Sequence, residues 1–165
     1  MITYESARPN LKSGDLVAFT HIDWKTLNDF EIHGVRIATQ SEYSHVGIIW
    51  NFAGRIFLIE AVVPFVRIIP LSLCGGFFHI GMGKELSDEA LEFALAQIGE
   101  KYSKWMAIKA FFGKVLQKDM NKWECAKLAC DILRSNGIDY GSAYRPDTLV
   151  QAALEDGKQL TYIKP

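Results

Sequence analysis

The chain has 165 residues, of which 49% are hydrophobic and 22% are charged, and these values are ordinary for a globular protein. This length predicts one domain, residues 1–165, with enough interior for a hydrophobic core. The formal net charge of −1, without a basic or acidic tail, argues against a nucleic-acid partner.

The N-terminal segment, "MITYESARPNLKSGD", lacks the apolar stretch that is typical of a secretory signal. The most apolar segment, 56–83, is interrupted by Glu60, Pro64, Arg67 and Pro70, which favours buried strands over a membrane span. We therefore expect a cytoplasmic protein, and a phage or a virus could also encode such a chain.

Five short segments rich in Val, Ile and Phe, separated by turn residues, are predicted to be strands: "GDLVAF" (14–19), "HVGIIW" (45–50), "RIFLIEAV" (55–62), "VRIIPL" (66–71) and "FHIGMG" (78–83). Residues 23–38, between the first two, have a mixed pattern that is typical of a helix or of an irregular excursion.

Four later segments are predicted to be helices: 87–99, 103–118, 124–136 and a short one after Pro146. Ser87 is the predicted N-cap of the first, and Asn136-Gly137 is the predicted C-cap of the third. Strands therefore come mainly from 14–83 and helices mainly from 87–153. This order predicts an α+β fold, with an antiparallel five- to six-stranded sheet or half-barrel packed against helices.

The three cysteines are Cys74, Cys125 and Cys130, and their odd number and unpaired spacing argue against a disulfide framework. Cys125 falls on the first turn of the predicted helix 124–136, beside its apolar stripe. Unpartnered N–H groups at a helix start stabilise a thiolate, which lowers the pKa of a cysteine below its usual value of about 8.5. A buried structural thiol is the other interpretation.

A nucleophilic thiol needs a base, and the base needs an orienting group. His45 opens an apolar strand, where a polar ring is costly unless it is paired. Gly47, on the same face, leaves room for another part of the backbone to approach. Glu60 lies in the next apolar strand and would come near His45 if the two strands form a hairpin. The plainer alternatives are a structural histidine and a solvent-facing glutamate on an edge strand.

The stretch "ALAQIGEKYSKW…WECAKLACDILRSNGI" (94–138) resembles the nucleophile segment of the NlpC-type papain-like cell-wall peptidases. "GDLVAF…SHVGIIW…FLIEA" (14–61) resembles the Gly-Asp-Leu and His-Val-Gly-Ile strands and the following strand of the same family. Because the cysteine segment comes last here, the chain resembles the circularly permuted branch, the YiiX and YaeF-type amidases, whose relatives include lecithin-retinol acyltransferase.

The resemblance implies a Cys-His-Glu catalytic triad, with Cys125 as the nucleophile at a helix N-terminus, His45 as the general base and Glu60 as the orienting group. Tyr102 matches the family tyrosine near the site, and Tyr102 and Tyr43 are the candidates for substrate or oxyanion contacts. The family Asp before the cysteine is Glu124 here and the Ser after it is Ala126, and the insert between Tyr102 and Cys125 is longer. These departures bear on substrate identity more than on the chemistry.

The implied activity is that of a cysteine peptidase or amidase, which acts through an acyl-thioester on a cell-wall or other peptide, with the Cys125 N–H as an oxyanion donor and without a metal or cofactor. The alternatives are an ester hydrolase or acyltransferase of the lecithin-retinol acyltransferase type, and a catalytically silent binding module. We expect segment 103–118 to be a core helix. The alternative is an amphipathic helix that contacts a membrane, which would suit a lipid substrate. No CxxC or HxxxH spacing points to a metal site. Oligomeric state stays open.

Overall fold

The computed structural model describes residues 2–20, 43–62, 65–100 and 117–165, and for 117–124 it describes the backbone. Within these ranges seven strands form one sheet: β1 (Ile2–Thr3), β2 (Leu16–Phe19), β3 (His45–Phe52), β4 (Arg55–Val62), β5 (Phe65–Pro70), β6 (Phe77–Ile80) and β7 (Leu160–Lys164). Their order across the sheet is β1-β7-β6-β2-β3-β4-β5. The described helices are α1 (Tyr4–Ala7), α2 (Asp88–Ala96), α3 (Gln117–Ser135) and α4 (Pro146–Glu155), with short 3-10 turns at Arg8–Asn10 and Leu71–Leu73.

The mixed α+β content agrees with the sequence, but the sheet differs from the prediction at one edge. There the chain ends add β1 and β7, which pair with each other in parallel. All other neighbouring strands are antiparallel. The prediction of an antiparallel five- to six-stranded sheet or half-barrel therefore misses this edge, because β1 is two residues long and β7 has no strict alternation.

Two hydrophobic clusters lie on the sheet, as alternation along each strand requires. The larger one contains Val46, Ile48, Ile59 and Ala61 and is covered by residues of α2, α3 and α4. The smaller one contains Phe19, Leu58, Leu71 and Cys74 and includes residues of α1. Helix α3 packs directly on β3 and β4, so it runs across the two central strands of the predicted site.

Helix ends follow the predicted signals at two places. The hydroxyl of Ser87 accepts the N–H of Ala90 at the start of α2. At the end of α3, Gly137 adopts a φ of 80°, and the N–H of Ile138 is bonded to the carbonyl of Leu133. This pattern with a left-handed glycine is a Schellman motif, and it satisfies carbonyls that the helix would leave open.

Helix α3 begins earlier than predicted. Its described part already includes Gln117, upstream of the predicted start at 124, so Cys125 lies two turns or more inside the helix. The polar run before Cys125 contains Gln, Lys, Met and Glu, which are good helix formers, and they carry the helix upstream without an apolar stripe. The prediction of a cysteine on a first helical turn is therefore wrong.

Two predicted segments fall outside the described residues in whole or in large part. They are the mixed segment 23–38 and the helix 103–118, of which only 117 and 118 are described, as part of α3. No helix in the described ranges combines the length and the apolar character that a membrane crossing would need.

Candidate active site

The carboxylate of Glu60 and the imidazole of His45 form a buried pair. The Nε2–H of His45 donates to Oε2 of Glu60 over 2.6 Å. The exposed fraction is 0% for Glu60 and 3% for His45. A hydrogen bond between two such groups is charge-assisted and well protected from water. It fixes both the tautomer of the ring and its direction.

The pair arises from the register of the β3–β4 hairpin. Ile48 lies opposite Ile59, so continuing the register by one residue places Glu60 opposite Gly47. Glu60 is thus on the diagonal from His45, within reach of a long side chain. A Cβ on Gly47 would come within 2.8 Å of the Ile59 carbonyl oxygen, as expected of a glycine that permits close backbone approach.

Cys125 of α3 is hydrogen-bonded to the same imidazole. Because Nε2 is engaged by Glu60, Nδ1 is the ring nitrogen that remains for the sulfur. Cys125 belongs to the larger hydrophobic cluster and is 1% exposed. The structure therefore brings together all three residues that the sequence predicted to be catalytic, from three separate elements.

The charges of these groups support one another. Burial opposes protonation of His45, but the Cys125 and Glu60 charges and hydrogen bonds raise the pKa of His45 to about 10. Burial also opposes ionisation of Glu60, yet the neighbouring His45 and Arg67 cations hold the pKa of this carboxyl below its usual value. The geometry consequently favours an imidazolium beside an ionised glutamate.

Arg67 completes the arrangement and was not predicted. Its Nε donates to Oε1 of Glu60 over 2.7 Å, and its Nη2 lies 2.6 Å from the same oxygen in an ion pair. Arg67 lies directly opposite Glu60 in the β4–β5 ladder. The sequence signal for Arg67 is a lone charge in an apolar strand, but its pairing with Glu60 follows only from the β4–β5 register.

The other two cysteines lie in different surroundings. Burial is the main cause that raises the pKa of Cys74 to about 12 and that of Cys130 to about 11. The thiol of Cys130 donates to the carbonyl of Ala143 over 3.1 Å. Both are the inert, protonated kind of buried thiol.

The three groups predicted to contact an oxyanion or the substrate have different outcomes. The backbone N–H of Cys125 lies inside α3, where it is used by the helix, so its expected role as a free oxyanion donor is wrong. Tyr43 is buried in the larger cluster, with its ring edge-on to Phe78 at 5.5 Å. Tyr102 lies outside the described residues. The roles of both tyrosines stay predictions.

A second histidine–carboxylate pair lies elsewhere in the sheet. His79 Nε2 is 2.8 Å from Oδ2 of Asp15, which also accepts the N–H of Lys12. The other oxygen of Asp15 accepts the N–H of Met82. Asp15 thereby ties the start of β2 to the chain after β6, which is a structural role.

An open groove of about 510 Å³ lies between the end of α3 and α4. It is lined by Gly137, Ile138, Asp139, Tyr140, Ala152, Glu155 and Asp156. None of these residues belongs to the Cys125–His45–Glu60 group. We place the candidate site at that group because it carries the chemistry, and the groove does not.

A scan of protein-family models gives no match to this sequence, and a comparison with curated proteins gives none either. Among solved structures, the chain is similar to the crystal structure of the metalloprotein YiiX from Escherichia coli O157:H7. The TM-score is 0.54 and the sequence identity 18%, and the alignment covers 94% of this chain and 98% of that chain. At this identity the likeness shows the fold alone, and the fold of this protein is YiiX-like.

Proposed function

We propose that this protein is a cysteine-dependent hydrolase of the amidase or peptidase type. The observation that carries the proposal is the continuous chain of hydrogen bonds from Cys125 through His45 to Glu60. These are a nucleophile, a base and an orienting carboxylate, in the order that thiol hydrolases require. The resemblance of the sequence to permuted papain-like amidases agrees with the YiiX-like fold.

In the proposed reaction the Cys125 sulfur attacks the carbonyl carbon of an amide, and a carbon–sulfur bond forms. The carbon–nitrogen bond then breaks, and the imidazolium of His45 gives its proton to the departing nitrogen. Water next attacks the acyl-thioester while His45 takes one of its protons. The carbon–sulfur bond then breaks, the acid product leaves, and the sulfur–imidazolium pair is restored. Glu60 holds the ring and stabilises its charge throughout.

The structural neighbour is described as a metalloprotein, and we tested the residues here against that property. Across the described ranges, no group of three or more His, Cys, Asp and Glu side chains is placed to hold a metal ion. The Glu60 carboxylate is already bonded to the Arg67 cation, which disfavours a second cation there. The described donors do not fit a metal site, and no step of the proposal uses one.

One observation favours a second candidate, a binding module that keeps the fold without turnover. The Cys125 sulfur is 1% exposed, so a substrate has to gain access before the chemistry starts. An acyl-trapping experiment separates the two candidates, because only the hydrolase forms a covalent intermediate.

The test uses two activated donors, a peptide p-nitroanilide and a p-nitrophenyl acyl ester, each followed by acid quench and peptide mapping by mass spectrometry. We expect the acyl mass on the peptide that contains Cys125. The adduct should disappear in Cys125→Ala and persist in Cys130→Ala, a control on the same helix, with thermal unfolding confirming that both variants fold. The amide donor and the ester donor distinguish an amidase from an ester hydrolase. Folded wild-type protein that acquires no acyl group from either donor would overturn the proposal.

A further inference from the structure

Arg67 reaches the surface from the polar group formed by Cys125, His45, Glu60 and Arg67. Its side chain is 34% exposed, whereas that of Glu60 is fully buried. Two of its nitrogens, Nε and Nη2, converge on the single oxygen Oε1. The guanidinium is planar and rigid, so this contact fixes the direction of the carboxylate as well as its charge.

The two oxygens of Glu60 have different partners. Oε2 accepts from His45, and Oε1 accepts from Arg67. A rotation of the carboxylate that improved one bond would weaken the other, because the two partners lie on different strands. The orientation of Glu60 is therefore set from both sides.

Charge balance leads to the same conclusion. In the ion-pair state of the proposed mechanism, in which the Cys125 proton has moved to His45, the charges alternate along the group: negative at Cys125, positive at His45, negative at Glu60 and positive at Arg67. Without Arg67 the buried group would carry a net negative charge, which is costly in an environment of low polarity. Cys74 is the other titratable group that feels the Glu60 charge, and it stays protonated because burial raises its pKa to about 12.

We propose that Arg67 is a positioning residue of the site: it holds Glu60 by one oxygen so that the other stays on His45 and keeps the ring directed at Cys125. This inference rests on the proposed function for its catalytic meaning. Arg67 acts through Glu60 and is not required to touch the substrate. Arg67 contributes a positive charge and the fork geometry, in which two guanidinium nitrogens contact one oxygen. Substitutions can separate these two contributions.

The experiment compares Arg67→Gln and Arg67→Lys with wild type. Arg55→Gln is the matched control, since Arg55 is an exposed arginine of the same sheet that contacts the Phe57 ring instead of a carboxylate. One measurement is the NMR titration of the His45 imidazole in protein labelled with ¹⁵N-histidine, assigned with His45→Gln. The other is the rate at which iodoacetamide alkylates Cys125, followed by peptide mapping.

We expect Arg67→Gln to raise the midpoint of the His45 titration by about one pH unit, because the loss of a nearby cation leaves a net negative group that favours the imidazolium. The same variant should slow alkylation of Cys125. Arg67→Lys should keep the midpoint near the wild-type value but still slow alkylation, because a lysine supplies the charge without the fork. Arg55→Gln should change neither quantity.

A wild-type midpoint and alkylation rate in Arg67→Gln would overturn the inference. So would a lysine variant that equals wild type in both measurements, because orientation would then contribute nothing. If Arg67→Gln does not fold, the lysine variant alone decides between these outcomes. Neither measurement needs turnover, so a failed acyl-trapping experiment and a failed role for Arg67 remain distinguishable.

Discussion

Glu60 and His45 are joined by a 2.6 Å hydrogen bond at a place where the carboxylate is fully buried. Removing the charge of Glu60 leaves the Arg67 guanidinium with a neutral partner and weakens support for the imidazolium. We expect Glu60→Gln to lower the free energy of unfolding by about 3 kcal/mol, measured by urea denaturation.

The control for this substitution is Glu92→Gln, on the exposed face of α2. We expect it to change the free energy of unfolding by less than about 0.5 kcal/mol. A Glu60→Gln variant as stable as the control would mean that the buried pair contributes nothing to the fold.

Acid should also remove the stabilisation that the charge of Glu60 provides. The pKa of Glu60 is lower in the folded protein than its ordinary value of 4.5, so its stabilisation is fully present above pH 4.5. It is lost as the pH falls through the folded-state value. Urea midpoints measured from pH 7 down to pH 3 should therefore fall less steeply in Glu60→Gln than in wild type. Parallel curves for the two proteins would contradict the lowered pKa.

The three cysteines allow a test in which solvent exposure and chemical activation of the thiol favour different residues. Cys74 is 8% exposed, Cys130 3% and Cys125 1%, so access alone would make Cys74 react first. Activation favours Cys125, because the pKa values of Cys74 and Cys130 are raised to about 12 and about 11. We expect iodoacetamide at pH 8 to modify Cys125 first. His45→Gln should slow that reaction by about tenfold or more, and prior modification of Cys74 would refute activation.

Gly47 is the position where the β3–β4 hairpin tolerates no side chain. A Cβ there would lie 2.7 Å from Leu58 Cδ1 and 2.8 Å from the Ile59 carbonyl oxygen. We expect Gly47→Ala to cost about 2 kcal/mol of stability, measured by thermal or urea unfolding. Gly81→Ala is the matched control, because its nearest contact, His79 Cε1 at 3.8 Å, is an ordinary one. Equal losses in the two variants would show that crowding at Gly47 is not the cause.

We expect Asp15 to contribute to the stability of the fold and not to the reactivity of the Cys125 thiol. Asp15→Ala removes the acceptor for the backbone N–H groups of Lys12 and Met82 and for His79. We expect a loss of about 2–3 kcal/mol in urea denaturation, and a smaller loss in His79→Gln, which keeps both backbone bonds. The alkylation rate of Cys125 under native conditions should stay unchanged in both. A slowed rate in folded Asp15→Ala would link this pair to the candidate site.

Strands β2 to β6 could be predicted from the sequence because each is short, rich in Val, Ile, Leu or Phe, and bounded by turn residues. Residues His45 and Glu60 were predicted to meet because a hairpin brings them together, and the structure has that hairpin. The edge strand β1 and its neighbour β7 were missed because β1 is two exposed residues long and most of β7 is only half-buried. Edge pairing depends on the ends of the chain meeting, which no local pattern records.

Cys125 shows where local reasoning fails. Its neighbours suggested a helix start because the apolar stripe begins there, yet α3 runs through this point from Gln117. The upstream turns are polar, and helix propensity without an apolar face leaves a weak signal. In the proposed function, activation of the thiol is therefore assigned to His45 and its carboxylate instead of to a helix end. Arg67 was overlooked for a related reason, since its partner becomes evident only when the β4–β5 register is known.

The sulfur and the groups that would activate it lie on different secondary-structure elements. Cys125 is on α3, whereas His45, Glu60 and Arg67 are linked to one another by hydrogen bonds within the sheet. A displacement of the helix along the sheet by a fraction of an ångström changes the distance from sulfur to ring and leaves the ring–carboxylate bond intact. Reactivity is thus adjustable without loss of fold. Substitutions in the contact between α3 and strands β3 and β4 should therefore change the reactivity of the thiol more than the stability of the fold.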